Sequence, residues 1–298
     1  MPKRCGFVTI IGAPNVGKST LTNSLVGSKI SIVSPKIQTT RRRVLGIVMR
    51  EEAQIILVDT PGIFEPKKRL DRAMVSAAWT AAAQTDLLMV MTDTNSFHIE
   101  DTLKIIDHCS TQTEKPLFLV INKIDLVPRP QLLVLIDQLS SSGKIEKTFL
   151  ISALKGDGVL DLIKALAFRM PEGPWLFPED QLTDLPLRLL AAEITREKIF
   201  YSLHQEIPYE MTVETESWEE FQNGSVKISQ VIHVQKKGQK AILLGKEGRQ
   251  IKSIREKSAL ELQNMLGRQV HLFLYVKVSE NWSEDSRYYK ELGLDYDI

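Results

Sequence analysis

The residues best placed to do chemistry stand near the start of the chain, in GAPNVGKST at 12–20. A glycine, four further residues and then Gly-Lys-Ser follow the apolar run FVTII and precede LTNSLVG. Strand, glycine-rich loop and helix start in that order aim backbone N–H groups and the positive end of a helix at a polyphosphate. Lys18 then reaches the outer phosphates, and the Ser19 hydroxyl is offered to Mg2+. Gly12, Ala13, Pro14, Asn15, Val16, Gly17, Lys18, Ser19 and Thr20 are the candidate phosphate contacts. A plain glycine-rich turn with a surface lysine would leave this strand-loop-helix context unexplained.

Two further motifs end apolar runs, where the edge of a parallel sheet meets its ligand. In IILVDTPG, Asp59 ends the run, and a carboxylate there holds Mg2+ through water. Thr60 and Pro61 lead to Gly62, whose N–H can meet a γ-phosphate. In LFLVINKID, Asn122, Lys123 and Asp125 close the second run. The Asp125 carboxylate can accept from both N1–H and the 2-amino group of guanine, whereas adenine presents an acceptor where guanine has a donor. A buried carboxylate facing adenine is left unpaired, and such sites reject the wrong partner by factors on the order of 10⁴. TFLISALKG adds Ser152, Ala153 and Leu154, with the Ala153 amide expected at guanine O6. These spacings point to GTP and GDP.

Between the phosphate loop and Asp59 lies SPKIQTTRRR, poor in large apolar residues, as a mobile switch segment is. A threonine there completes the Mg2+ shell only while a γ-phosphate is present, so its loss releases the loop. Thr40 is the preferred candidate, and spacing alone does not separate it from Thr39. The metal ligands expected are therefore Ser19, Thr40 and Asp59, with Lys18, Thr40, Gly62 and Asn15 acting at the transferred phosphoryl group. Some GTPases place a water-orienting glutamine directly after this glycine. Ile63 stands there and cannot hydrogen-bond, which predicts slow intrinsic hydrolysis, with water oriented by backbone groups, an ion or a partner.

Holding these loops together requires a sheet. Between residues 6 and 169, the runs FVTII, VLGIVM, IILVD, LLMVM, LFLVIN and TFLIS alternate with helical patterns. This rhythm predicts an α/β P-loop GTPase domain over 1–170, a mostly parallel six-stranded sheet with helices on both faces. Only the turn REEA is short enough for a hairpin, so one antiparallel edge pair is expected. In MPEGPWLFPEDQLTDLP, Pro171, Pro174, Pro178 and Pro186 break helical periodicity and predict a linker over 171–186. Two domains suit a chain of 298 residues with 43% hydrophobic content. No stretch is apolar enough to span a membrane, and MPKRCGFVTI reads as a strand entry, so the expectation is a cytosolic chain. Cys5 and Cys109 are too few and too unpatterned for a disulfide framework or a metal site, and the five histidines lack ligand spacing. Lys+Arg of 38 against Asp+Glu of 37 hides any local patch, so distribution matters more than the sum.

Such a patch lies in the remainder, 187–298, whose runs read helix, strand, strand, helix, GKEG, helix, strand. Residues 236–257 hold eight Lys/Arg and two Glu, a local balance of +6. A basic stripe across a GxxG loop is the footprint of a KH module, which clamps single-stranded backbone while bases lie in an apolar groove. Lys237, Lys240, Gly245, Lys246, Glu247, Gly248, Arg249, Lys252 and Arg255 are the candidate RNA contacts. Ile242, Leu243, Leu244, Ile251 and Ile254 serve either the groove or the core. Glu247 is a departure, because it sets a negative charge where a small or basic residue suits phosphate better. The acidic, aromatic segment SENWSEDSRYYKELGLDYDI is expected to pack on the KH unit or to meet a partner.

GAPNVGKST, IQTTRRR, DTPG, NKID, SALKG and GKEG, in that order over nearly the full length, resemble the Era family of bacterial GTPases. The resemblance implies a P-loop GTPase domain followed by an α+β type II KH domain. It implies a factor that hydrolyses GTP with Mg2+, binds small-subunit ribosomal RNA near its 3′ end and acts in 30S subunit maturation; a monomer is expected, though the sequence does not fix the oligomeric state. It also implies RNA binding favoured in the GTP state; the physical link expected here is that the γ-phosphate orders IQTTRRR and DTPGI, which reposition the linker and expose the KH face. A peripheral association with the inner membrane surface is compatible with the family. In related potassium-stimulated GTPases the residue at Asn15 is a ligand for a monovalent cation, which makes K+ a candidate activator. The rival readings are a GTPase acting on another structured RNA such as tRNA, a small-molecule P-loop kinase, and a binding module with a merely structural nucleotide. NKID argues against the kinase, and GKEG with its basic stripe argues against tRNA-directed relatives that lack a KH unit.

Overall fold

The computed structural model describes residues 2–36, 38–95, 98–140, 144–203 and 207–298, and the chain divides into two compact units. Met1–Asp184 with Leu292–Ile298 form the first, and Leu185–Glu291 the second.

In the first unit, aliphatic and β-branched runs become strands, the central ones buried on both faces because helices cover each side. They follow the order β1 (Arg4–Ile11), α1 (Lys18–Val26), β2 (Val44–Arg50), β3 (Ala53–Asp59), α2 (Arg69–Ala83), β4 (Leu87–Asp93), α3 (Ile99–Gln112), β5 (Leu117–Asn122), α4 (Arg129–Ser140), β6 (Ile145–Leu150) and α5 (Val159–Arg169). The sheet runs β2-β3-β1-β4-β5-β6. All pairs are parallel except β2 with β3, where Arg50 pairs with Ala53 and leaves Glu51 and Glu52 as the turn. One face packs Val8, Ile10 and Leu57 against Leu21 of α1 and Leu162 and Leu166 of α5. The other packs Val90, Leu119 and Ile121 against Ile105 and Ile106 of α3 and Leu135 and Leu139 of α4. This double cover fixes the carboxyl ends of β1, β3, β4 and β5 along one edge, where the loops that follow must converge.

Of the 171–186 segment read above as the linker, residues 171–184 are held on this unit. Gln54 of β3 is fully buried; its Oε1 accepts from Leu176 N at 2.8 Å and Phe177 N at 3.0 Å, and its Nε2 donates to Phe177 O at 2.8 Å. Ile47 N donates to Leu182 O at 2.9 Å, so this segment pairs with the open edge of β2 and covers it. The tail divides: residues 279–291 belong to the second unit, as expected, with Trp282 buried and its Nε1 donating to Glu210 O at 3.1 Å, whereas Leu292–Ile298 cluster with the first unit. Leu294 is buried there, and the Arg69 guanidinium lies 4.7 Å from the Tyr296 ring centre, a cation–π contact.

The second unit comprises α6 (Leu187–Ser202), β7 (Met211–Glu220), β8 (Val226–Val234), α7 (Lys237–Leu244), α8 (Arg249–Leu266), β9 (Val270–Val278) and α9 (Ser286–Leu292) up to its last residue. Its sheet runs β7-β8-β9, with β7 antiparallel and β9 parallel to β8. A parallel neighbour requires a crossover, and α7 with α8 supplies it. Ile194 and Leu262 cover Val226, Ile228 and Leu272, while Ile199, Leu243 and Ile254 cover Ile232 and Val234. The loop joining α7 to α8 is thereby held at a helix start.

Candidate functional site

The phosphate loop joins β1 to α1 at the edge described above. Gly17 adopts φ 102, and a Cβ there would stand 2.3 Å from Asn122 Nδ2, so only glycine lets the loop close onto β5. Lys18 is buried, and its Nζ donates to Gly12 O at 3.0 Å and Ala13 O at 2.9 Å. Burial lowers its pKa to about 8, against the opposing pull of Asp59. Phosphate raises a lysine pKa, so nucleotide binding requires the protonated form. Affinity should therefore be level below pH 8 and fall above it, by up to about tenfold per pH unit. Calorimetry between pH 7 and 9.5 checks this, with proton uptake on binding at the alkaline end; a flat profile counts against it.

Three oxygen groups meet beside Lys18. Ser19 Oγ donates to Asp59 Oδ2 at 2.7 Å and lies 2.9 Å from Thr40 Oγ1. Thr39 Oγ1 instead sits 2.6 Å from Ser34 Oγ and donates to Lys36 O at 2.7 Å. Of the two threonines, it is Thr40 that stands beside Ser19 and Asp59. Ser31 Oγ, which sequence reasoning missed, donates to Asp59 Oδ2 at 2.8 Å. Among the described residues Asp59 Oδ1 is buried with no hydrogen-bond partner, and burial raises the Asp59 pKa despite the two serines and Lys18. An orphaned carboxylate oxygen among hydroxyls fits a hard cation such as Mg2+.

The DTPG segment is tied back to the phosphate loop. Thr60 Oγ1 donates to Ile10 O at 2.7 Å, and Ile63 N donates to Gly12 O at 3.0 Å. A Cβ on Gly62 would approach Pro14 at 2.9 Å, so Pro61 delivers a bare backbone to this contact. The Ile63 side chain packs against the apolar cluster of Ile11, Val90 and Ile121, as an aliphatic residue without hydrogen-bonding capacity should.

At the base-reading end, Asn122 stitches three motifs together. Its Nδ2 donates to Val16 O at 2.9 Å, and its Oδ1 accepts from Ala153 N at 2.9 Å. The Ala153 amide, expected at guanine O6, donates here to Asn122 and so lies beside the base-reading motif. The neighbouring Leu154 side chain is exposed. Asp125 keeps its charge because a hydrogen bond from Ser152, with Lys155 Nζ at 3.6 Å, holds it below the usual carboxylate range. Lys123 adopts φ 61 and donates through Nζ to Asn15 O at 2.7 Å and Asp93 Oδ2 at 2.6 Å. Asp93, also missed, accepts at Oδ1 from Asn95 N at 3.0 Å and faces His98 Nδ1 at 2.8 Å. Its signal was the one used for Asp59, a carboxylate ending an apolar strand. Asn15 is left-handed at φ 64, and its Nδ2 donates to Pro35 O at 3.0 Å, linking the phosphate loop to the switch segment. Both cysteines are buried free thiols, and burial pushes Cys109 up to about 12.

In the second unit, α7 ends at Gly245, φ 71, and α8 starts after Gly248, φ 74. A Cβ on Gly245 would stand 2.6 Å from Gln250 Cβ, so the loop can fold against α8 only with glycine there. Lys237, Lys246, Arg249, Lys252 and Arg255 are exposed and Lys240 is half-buried. Glu247 is left-handed at φ 55, and its Oε2 lies 2.9 Å from Arg249 Nη2, so the acid diverts one of the basic groups. Leu243 and Ile254 belong to the core, Ile242 is 52% exposed, and Leu244 and Ile251 are half-buried. Only the last three can line a groove.

Comparison with known proteins agrees with this division. Residues 7–123 match the family model described as "50S ribosome-binding GTPase", and residues 206–283 match the "KH domain" model. The chain is 55% identical to GTPase Era of Afipia carboxidovorans over 99% of its own length and 96% of that protein. It is 54% identical to GTPase Era of a Bradyrhizobium species over 98% and 95%. A crystal structure of Era with MgGDPNP and nucleotides 1506–1542 of 16S ribosomal RNA is 40% identical, with a TM-score of 0.89 over 98% of this chain and 99% of that one. A variant of Aquifex aeolicus Era bound to GDP and AlF4⁻ is also 40% identical, with a TM-score of 0.89 over 97% and 99%. On full-length identity and on the arrangement of both units, this chain belongs to the GTPase Era family.

Proposed function

We propose that this GTPase grips small-subunit ribosomal RNA near its 3′ end through residues 245–248 and the basic helix starts around them, and that GTP strengthens the grip during 30S subunit assembly. The observation that carries this reading is the GKEG loop: two left-handed glycines frame Lys246 at the start of a helix whose Arg249, Lys252 and Arg255 stand in solvent. Phosphate oxygens suit such a backbone, and the half-buried Ile251 beside it suits unstacked bases. The solved relative with a 16S RNA fragment supports the choice of RNA. Crosslinking the full chain to RNA in cells and sequencing the attached fragments tests it; fragments should concentrate at the 3′ end of the small-subunit RNA, and enrichment of tRNA instead would reject it.

At the nucleotide, Ser19, Thr40 and Asp59 are the residues that hold Mg2+, which when bound neutralises charge on the phosphate oxygens. Lys18 and the loop amides orient the phosphates, Gly62 donates its N–H to the γ-phosphate, and Asn122, Lys123 and Asp125 fix the base. Because Ile63 leaves water without a side-chain partner, Asn15 is assigned to a K+ ion beside the phosphates. Hydrolysis should accordingly run about tenfold faster in K+ than in Na+, a gain of the size one well-placed charge supplies. Equal rates in the two salts remove K+ from the mechanism. The chain is proposed to work as a monomer in the cytoplasm, in keeping with its family, with any contact at the inner membrane surface peripheral. No helix among the described residues is long and apolar enough to cross a membrane.

A further inference from the structure

One side chain ties the switch segment to the start of α2. Gln38 lies two residues before Thr40 and has a left-handed backbone, φ 57, a conformation that persists in a non-glycine residue when its surroundings hold it. Its Nε2 donates to Asp71 Oδ1 at 2.9 Å. Asp71 is 5% exposed, and its Oδ2 accepts from Lys67 N at 3.1 Å and Lys68 N at 2.9 Å. Lys68 is the cap residue of α2, so Asp71 satisfies backbone donors that the helix start leaves open and complements its positive end. One oxygen of a buried carboxylate thus closes the helix start, while the other holds the switch segment.

We propose that Gln38 and Asp71 form a positioning latch that makes ordering of the Thr40 segment and ordering of the path from Gly62 into α2 a single event. The proposal rests on the reading of Thr40 as the residue that follows the γ-phosphate through Mg2+. With the latch closed, GTP that orders either segment orders both, and by reciprocity the ordered helix start raises affinity for GTP over GDP. Without it the segments respond separately, and discrimination between the two nucleotides declines. Gln38 and Asp71 touch neither nucleotide nor metal in this scheme; they act through Thr40 and Gly62.

The test uses the full chain with Mg2+, fluorescent GDP and a fluorescent non-hydrolysable GTP analogue. Gln38→Leu keeps the volume and removes the donor, and should lower the ratio of analogue to GDP affinity about tenfold while GDP affinity stays within about twofold. Gln38→Glu opposes two carboxylates and should lower the ratio at least as far. Combining Gln38→Glu with Asp71→Asn reverses the pair, since the new amide can donate to the new carboxylate, and should restore the ratio to within about threefold. Hydrogen exchange at residues 67–72 should be slower with the analogue than with GDP, a difference that Gln38→Leu abolishes. Thr40→Ala controls for the underlying reading. If Thr40→Ala lowers the ratio and Gln38→Leu leaves both ratio and exchange unchanged, the latch is overturned and the Mg2+ reading stands. A ratio unmoved by Thr40→Ala overturns that reading and the latch with it. If Gln38→Leu weakens both nucleotides equally, the pair is merely structural and the proposal is wrong.

Discussion

Asp125→Asn is expected to weaken GTP binding by about 10³-fold and to admit xanthosine triphosphate in its place. In the proposed site the carboxylate is the acceptor for two guanine donors, N1–H and the 2-amino group. Asparagine offers one acceptor and one donor, so its amide N–H would face the 2-amino group and leave both unpaired. Xanthine carries a carbonyl at that position and can accept from the new amide. Ser152 and Lys155, which hold Asp125 charged, remain in place, so the loss is one of recognition. Competition calorimetry with GTP, xanthosine triphosphate and ATP reads the result. Unchanged preference for GTP would show that another group reads the base.

The second large effect belongs to RNA. Reversing Lys246, Arg249 and Lys252 to glutamate should weaken binding of a single-stranded ribosomal RNA fragment by about 10²- to 10³-fold at low salt, while leaving GTP affinity unchanged. If all three side chains neutralise phosphates, the slope of log affinity against log salt should flatten by about 2, near 0.7 for each lost contact on a single strand. Arg249 enters this count at a discount, since Glu247 lies 2.9 Å from it. Glu247→Gln frees that guanidinium and should strengthen binding by a few-fold, opposite in sign to the reversals. Both are read by fluorescence anisotropy across a salt series. A slope that the reversals leave unchanged would place the RNA elsewhere.

Much of the nucleotide site was legible because its motifs are local: a glycine loop, a strand-ending carboxylate and NKID each fix their own geometry within a few residues. Where spacing failed, the deciding contacts were distant in sequence. Thr39 and Thr40 are equivalent as letters, and it takes Ser34 on one side and Ser19 on the other to part them. Ser31 and Asp93 were missed because each acts on a residue about 30 positions away. Nor does sequence show that Asn122 turns its Oδ1 toward the Ala153 amide and ties the two base-side motifs together. In the second unit, alternation marked the strands, but only packing shows that Leu243 and Ile254 are core while Ile242 faces solvent. Only the end of the tail escaped reading, for a similar reason: acidic and aromatic letters do not reveal that Tyr296 meets Arg69.

The most direct measurement is a titration of the full chain into a fluorescent RNA bearing the 3′-end sequence of the small-subunit ribosomal RNA, in the GTP-analogue and GDP forms, at one fixed salt concentration. The expected result is tighter binding with the analogue, by about fivefold or more. Identical affinities in the two forms would contradict a switch in which the γ-phosphate governs the grip on RNA.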